Sequence, residues 1–177
     1  DVFFQHHFNE RYGLWNRLEI NGDILSIDTA FNHQLWFAAA SSLIHTSGKE
    51  KIKGRILKFL NCLDNNLSVL DDGLIYHPIT RIIQDQYSKI SARIKLKKLI
   101  IKILKILKYY NHVEISNEEK HNRMIYKSTG YHQFNMYAFA ILKLEFSNHS
   151  YWETEELKKM VDFMLTDNYK KNLDENK

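Results

Sequence analysis

Apolar residues recur at helical spacing through most of this chain. Over residues 51–67 they share one face of a helix, and lysines occupy much of the opposite face. The same reasoning predicts helices after His77-Pro78, over residues 89–110 and from Thr154 onward. The pattern therefore predicts a series of helical hairpins.

Two of the predicted helices open on similar polar and aromatic segments. The segments are Phe31-Asn32-His33-Gln34-Leu35-Trp36-Phe37-Ala38 and Tyr131-His132-Gln133-Phe134-Asn135-Met136-Tyr137-Ala138, at an offset of 100 residues. An apolar run follows each of them, so both helices are expected to be buried. Buried amides and imidazoles are costly unless they form hydrogen bonds, and a ligand is one possible partner. We expect the two helices to lie side by side with their N-terminal ends open on one face; the alternative is a chance resemblance between two buried helices.

Composition agrees with a helical protein. The chain has 177 residues, of which 44% are hydrophobic, with only one Pro and six Gly. Frequent turn residues, which are typical of sandwiches and barrels, are missing, so the sequence predicts one all-α domain over residues 1–177. The single Cys62 excludes an internal disulfide and a zinc site built from cysteines.

The two segments also resemble a known family. Asn32-His33 with Trp36 and Ala38, and the later Tyr131-His132 segment, are similar to helices of the (α/α)-toroid polysaccharide lyases, alginate lyases in particular. The run from Glu19 to Asp28 looks like toroid proteins of bacterial capsule and surface-polysaccharide clusters. The resemblance implies helical hairpins forming part of an (α/α) toroid, because a complete toroid is longer than this chain. It also implies a periplasmic or cell-surface location in a bacterium in preference to the cytoplasm.

The resemblance implies β-elimination on an acidic, uronate-containing glycan. Elimination requires the carboxylate to be neutralised, a base to remove the C5 proton and an acid to protonate the departing O4. Tyr131 would be base and acid, with His33 or His132 as the rival base, and no metal or cofactor is expected. The predicted catalytic residues are Tyr131, His33, Asn32 and Arg123, and the predicted substrate-binding residues are Gln34, Trp36, Lys127, His132, Asn135 and Tyr137.

Other functions remain open at this stage. A uronyl C5-epimerase begins with the same proton abstraction, and a glycoside hydrolase on a related toroid would need paired carboxylates. Asp23 and Asp28 are the only acids near the first segment, which makes hydrolysis less attractive. A non-catalytic glycan-binding or membrane-surface module is the remaining alternative.

Positive charge is concentrated in the middle of the chain. The net charge is +4, but residues 49–110 alone carry 14 basic and five acidic residues. The predicted helix from Lys89 to Lys108 contains no acidic residue and could contact an anionic membrane surface or an acidic polysaccharide. Its other interpretation is an outer helix with a solvated lysine face. Nucleic-acid binding is not expected, because aromatic residues are not interleaved with the basic ones.

Overall fold

A short antiparallel sheet precedes the helices. The computed structural model describes residues 6–45, 48–88, 99–100 and 116–174. The strands are β1 (Phe8–Asn9), β2 (Leu14–Leu18) and β3 (Ile24–Ile27), in the order β1-β2-β3. The described helices are α1 (Phe31–Ser42), α2 (Lys49–Asn61), α3 (Leu63–Asn66), α4 (Thr80–Ser88), α5 (Asn117–Glu145), a 3-10 helix (Ser150–Glu153), α6 (Glu155–Leu165) and α7 (Asp167–Asp174).

The sheet shows that the all-α prediction is wrong. Gly13 and Gly22 have φ angles of 66° and 91° in the two turns that connect the strands. Glycine adopts this left-handed region without the steric cost that a Cβ would bring, so both turns can be tight. At Gly13 a Cβ would also lie 2.8 Å from the Cys62 Sγ. The strands are too short to give a clear two-residue alternation, and the described residues form a mixed α/β structure without an evident toroid.

A glutamine side chain joins the sheet to α1. The Gln34 Oε1 accepts a hydrogen bond from the Trp15 backbone N–H at 2.8 Å, and its Nε2 donates to the Trp15 carbonyl at 2.8 Å. The amide thus pairs with β2 as a neighbouring strand would. The Trp15 ring packs on Phe37 and Phe59, with centroid separations of 5.0 and 5.7 Å. Gln34 therefore fixes β2 against the N-terminal half of α1.

Helices α1 and α5 lie side by side, as the repeated segments predict. Phe31 contacts Phe139 and Trp36 contacts Tyr137, with ring centroids 6.2 and 6.0 Å apart. Ala38 and Ala138 are fully buried, and their small side chains allow close approach of the two helices. The helices therefore pack along the two segments that the sequence singled out.

The predicted start of the second helix is wrong. Helix α5 begins at Asn117, and its N-cap Ser116 accepts a hydrogen bond from the Glu119 N–H at 3.0 Å. Tyr131 is consequently in the middle of a long helix and not at its N-terminal end. A Ser followed three residues later by Glu is the usual signature of a helix start, and here it overrides the apparent boundary at Tyr131.

Several smaller predictions can be compared with the structure. The turn at Asp71-Asp72-Gly73 is confirmed, with a Gly73 φ of 99° and the Asp72 side chain accepting from the Leu74 N–H. The helix predicted over residues 51–67 is divided into α2 and α3. The predicted lysine-rich helix from Lys89 to Lys108 lies outside the described residues, apart from residues 99–100.

Thr154 begins α6, as predicted, and provides a test of the local structure. Its Oγ1 accepts a hydrogen bond from the Leu157 N–H at 3.3 Å. We expect Thr154→Ala to lower the free energy of unfolding by about 1 kcal/mol, because an orphan N–H of the first turn loses its acceptor. Urea denaturation measures the change. Thr154→Ser keeps the hydroxyl and should retain most of the stability, so equal losses in both variants would contradict the capping role.

Candidate functional site

A carboxylate and an imidazole meet where the sheet leads into α1. Asp28 follows β3, and its Oδ1 accepts a hydrogen bond from the Ala30 N–H at 2.9 Å. Its Oδ2 lies 2.8 Å from the His33 Nδ1. The His33 side chain is 62% exposed. An aspartate on Nδ1 favours the proton on that nitrogen, so Nε2 is the basic nitrogen of the neutral ring.

A cleft opens beside this pair, between β2, β3 and α1. Its volume is about 380 Å³, and Trp15, Arg17, Glu19, Asp28 and His33 are among its lining residues. The volume falls at the lower end of the range for small-molecule sites. Apolar rings, a guanidinium, carboxylates and an imidazole therefore share one concave surface, which is a composition suited to a polar ligand with apolar faces, such as a sugar. We call this concave surface the cleft.

A second pair of rings lies between the start of α1 and the middle of α5. The His77 and Tyr131 rings stack with centroids 5.1 Å apart and an angle of 17° between their planes. The His77 N–H donates to the Ser128 Oγ at 3.0 Å, and its carbonyl accepts from the Phe31 N–H at 2.9 Å. His77 thus connects the beginning of α1 to the middle of α5.

The pKa of His77 also depends on the first pair. Burial lowers the pKa of His77, electrostatic interactions with His33 and Lys127 lower it further, and the Asp28 carboxylate opposes the shift. His77 is therefore held in its neutral form near neutral pH, and its buried Nδ1 has no hydrogen-bond partner among the described residues. We call the group formed by Asp28, His33, His77, Lys127 and Tyr131 the mouth.

His77 and Asp28 are the mouth residues that sequence reasoning did not assign to the site. His77 precedes Pro78 in a turn-like sequence, which by itself indicates no functional role. Its placement depends on the isolated bridge between Pro78 and Ala30, a contact of high sequence separation. The sequence contains one signal for the backbone at His77, because the residue before a Pro is restricted to extended conformations.

Aromatic side chains flank the mouth along the contact between α1 and α5. Trp36 contacts Tyr137, whose side chain is 63% exposed. Asn32 is one helical turn before Trp36 and is 7% exposed, and its Oδ1 has no hydrogen-bond partner among the described residues. An unpaired buried amide oxygen is costly, so this position favours a water molecule or a ligand hydroxyl.

Four of the predicted site residues have other surroundings. The His132 ring is fully buried, with Nδ1 accepting from the Ile75 N–H at 3.2 Å and Nε2 at 3.0 Å from the Met160 carbonyl. Asn135 lies on the same helix as His132, and its side chain is buried. Its Oδ1 has no hydrogen-bond partner in the described part of the chain. Gln34 lines the cleft, but its amide group forms two hydrogen bonds with the Trp15 backbone.

Arg123 is the fourth of these residues. It pairs with Glu119 at 2.7 Å, and their side chains are 62% and 50% exposed. Its Cα is roughly 12 Å along the helix from that of Tyr131, because eight residues each rise by about 1.5 Å. His33 and Lys127 both act on the pKa of His77, on which the Tyr131 ring stacks, whereas Arg123 lies two turns from Tyr131 along α5.

Within the described ranges, no three His, Cys, Asp or Glu side chains are grouped so that they could hold a metal ion. No helix in those ranges combines the length and the hydropathy needed to cross a bilayer.

The chain is similar to a protein named Archaeal glycosylation protein Q from Haloferax volcanii. The two sequences are 31% identical over 179 aligned positions, and the alignment covers 100% of this chain and 46% of the relative. The chain therefore spans about half the length of that protein. No protein-family model matches the chain, and no solved structure matches it.

This similarity overturns the resemblance to the toroid lyases. It extends over the whole chain, whereas the proposed resemblance rested on two short segments. The relative is archaeal and carries the name of a glycosylation protein, so the assignment to a lyase of bacterial capsule clusters is wrong. Short apolar segments with a few aromatic residues recur in many helical proteins, so two such segments do not identify a family.

Proposed function

We propose that this chain has a glycan-related role, in which the mouth and the cleft bind a uronate-bearing saccharide and exchange its C5 proton. The name of the Haloferax volcanii relative supports the glycan-related part of the proposal. The acidic sugar and the reaction are finer steps, and they depend on the residues of the site.

The observation that carries the reaction is the contact between Asp28 and His33. A carboxylate 2.8 Å from Nδ1 holds the imidazole in one orientation and one tautomer. The ring is exposed at the edge of the cleft, so its Nε2 is accessible to a bound sugar. This pair has the arrangement of a general base, which typically accelerates a proton transfer by about 10²–10⁴-fold.

The reaction can be written as two proton transfers at C5, followed by a third that restores the side chains. The His33 Nε2 removes the C5 proton, and the electron pair of the C–H bond moves into the adjacent carboxylate as an enolate. A proton delivered to the opposite face of C5 restores the carboxylate and inverts the centre, with the Tyr131 hydroxyl as the candidate donor. The proton on His33 then returns to the Tyr131 phenolate through solvent. The C4–O4 bond is unchanged throughout, which separates this reaction from elimination.

Hydrolysis is less well supported by the same side chains. It requires two carboxyl groups with separate roles as acid and as base or nucleophile. Glu19 and Asp28 both line the cleft, but both Asp28 oxygens accept hydrogen bonds from the protein itself. A proton-transfer role for His33 uses these contacts, whereas hydrolysis would have to break them.

Deuterium exchange tests the proposal directly. We expect incubation with methyl β-D-glucuronide or a glucuronate tetrasaccharide in D₂O to place deuterium at C5, as detected by proton NMR. The sugar chain should remain intact, and no ultraviolet absorbance of an unsaturated uronate should develop. If C5 retains its proton after prolonged incubation with substrates that bind, the proton-transfer role is wrong.

A non-catalytic glycan-binding role is the second candidate. The side chains of Tyr131, Phe134 and Tyr137 are 40%, 53% and 63% exposed along α5. Exposed aromatic rings stack on the apolar faces of sugars, and this does not require a base. Retention on an immobilised glycan without C5 exchange would favour this function over the first.

A further inference from the structure

Arg17 is positioned at the cleft by the sheet. It lies on β2, and its Nη2 donates a hydrogen bond to the Ser26 Oγ of β3 at 3.0 Å. This cross-strand contact restrains the long side chain without neutralising its charge. Arginine has five N–H donors in a planar fork, so a single hydroxyl partner leaves donors for a ligand.

Charge within the cleft distinguishes Arg17 from its neighbours. Among the described residues that line the cleft, Arg17 is the one with a permanent positive charge. The nearby acids do not cancel it by direct pairing: Asp28 interacts with His33 and the Ala30 N–H. In the described part of the chain, no ion pair joins Arg17 to Glu19.

His33 and Arg17 both line the cleft. A uronate has its carboxylate on C6, directly bonded to the C5 whose proton would be removed, so a group that holds the carboxylate also positions that proton. Guanidinium groups bind carboxylates through two parallel hydrogen bonds, which fixes both the position and the orientation of the acid. The lyase resemblance implied Arg123 or Lys127 for this task. Arg123 is paired with Glu119 along α5, and neither of the two lines the cleft.

We infer that Arg17 binds the carboxylate of an acidic sugar in the cleft and thereby selects uronates over neutral sugars. This inference deepens the proposed function and rests on it for the position of the saccharide. It assigns Arg17 to substrate specificity, whereas His33 is assigned to proton transfer. A guanidinium held against the carboxylate also favours the enolate, because negative charge accumulates on the carboxylate oxygens as C5 loses its proton.

The test compares two probes that differ only at C6, methyl β-D-glucuronide and methyl β-D-glucoside. Binding of each is measured by NMR titration at low and at high salt. The parent protein should bind the glucuronide about tenfold more tightly or better, and salt should reduce this preference. Arg17→Gln should remove the preference and leave the affinity for the glucoside unchanged. Arg17→Lys keeps the charge but loses the fork, so an intermediate preference is expected.

Arg11→Gln is the matched control. Arg11 stands in the turn between β1 and β2, where its guanidinium lies 5.3 Å from the centroid of the Tyr12 ring, and it does not line the cleft. The control should retain the parent preference, because it removes the same charge from the same hairpin. Equal affinity of the parent for both probes, or an undiminished preference in Arg17→Gln, would overturn the inference.

The inference and the proposed reaction can fail separately. If Arg17→Gln loses the preference while the parent shows no C5 exchange, carboxylate binding stands and the reaction is wrong. If the parent exchanges the C5 proton and Arg17→Gln keeps the preference for the glucuronide, the reaction stands and another group binds the carboxylate. Circular dichroism of each variant shows whether a loss of binding reflects unfolding.

Discussion

His132→Ala should be among the most destabilising single substitutions in this protein, with a loss of about 3 kcal/mol or more in the free energy of unfolding. The ring is fully buried and contacts the Phe163 and Tyr169 rings, at centroid distances of 5.1 and 5.5 Å. Truncation leaves a cavity and removes partners from the Ile75 N–H and the Met160 carbonyl. Unpaired buried backbone groups add their own desolvation cost to that of the cavity. Urea denaturation measures the loss.

His121→Ala provides the matched control on the same helix. The His121 side chain is exposed, so its truncation should change the stability by no more than about 0.5 kcal/mol. A similar small effect at His132 would show that its two backbone contacts contribute little. The same pair of variants separates a structural His132 from the ligand-binding role that the sequence predicted, because loss of binding at full stability would support the latter.

Burial also makes the contribution of His132 dependent on pH. Burial lowers its pKa from the ordinary 6.5, while the Met160 carbonyl and the Asp72 charge partly oppose the shift. Below pH 6.5 the unfolded chain therefore binds more protons than the folded chain, and stability falls as the pH falls through this window. His6, His77 and His149 have lowered pKa values as well, so both parent and variant lose stability in acid. His132→Gln should flatten the dependence without removing it.

The helices were predictable where local signals and tertiary contacts agree. The N-cap at Thr154 and the turn at Gly73 follow from residue types that have few alternatives, and both are present. The side-by-side packing of α1 and α5 followed from similar apolar segments. The sheet was missed because its strands contain two to five residues, and its position depends on contacts such as Gln34 with Trp15 that sequence periodicity does not show.

The site was predictable only in part, for a related reason. His33 and Tyr131 were selected as residue types suited to proton transfer, and in the structure His33 contacts Asp28 and Tyr131 stacks on His77. Their immediate partners, Asp28 and His77, were not assigned to the site. Asp28 is five residues before His33, across the start of a helix, and His77 is 54 residues before Tyr131. A single sequence gives residue types and local spacing, whereas such pairs depend on the tertiary fold.

The last prediction separates the roles of the mouth residues. We expect His33→Gln to reduce C5 exchange by about 10²–10⁴-fold, because the amide cannot accept the proton. Asp28→Asn should also slow exchange strongly, because the imidazole loses the carboxylate that holds its orientation and tautomer. Deuterium incorporation at C5, followed by NMR, measures each rate. His45→Gln is the control, since His45 is exposed near the other end of α1 and should leave the rate unchanged.

Tyr131→Phe then distinguishes the base from the acid. If His33 removes the proton and Tyr131 returns one to the opposite face, this variant should still exchange C5 with solvent but should invert it much more slowly. The ring is kept, so the stacking on His77 and the fold should be preserved. Equal losses of exchange and inversion would instead make Tyr131 the base. Normal exchange in His33→Gln would contradict the assignment of His33 and leave the contact with Asp28 as a structural feature at the start of α1.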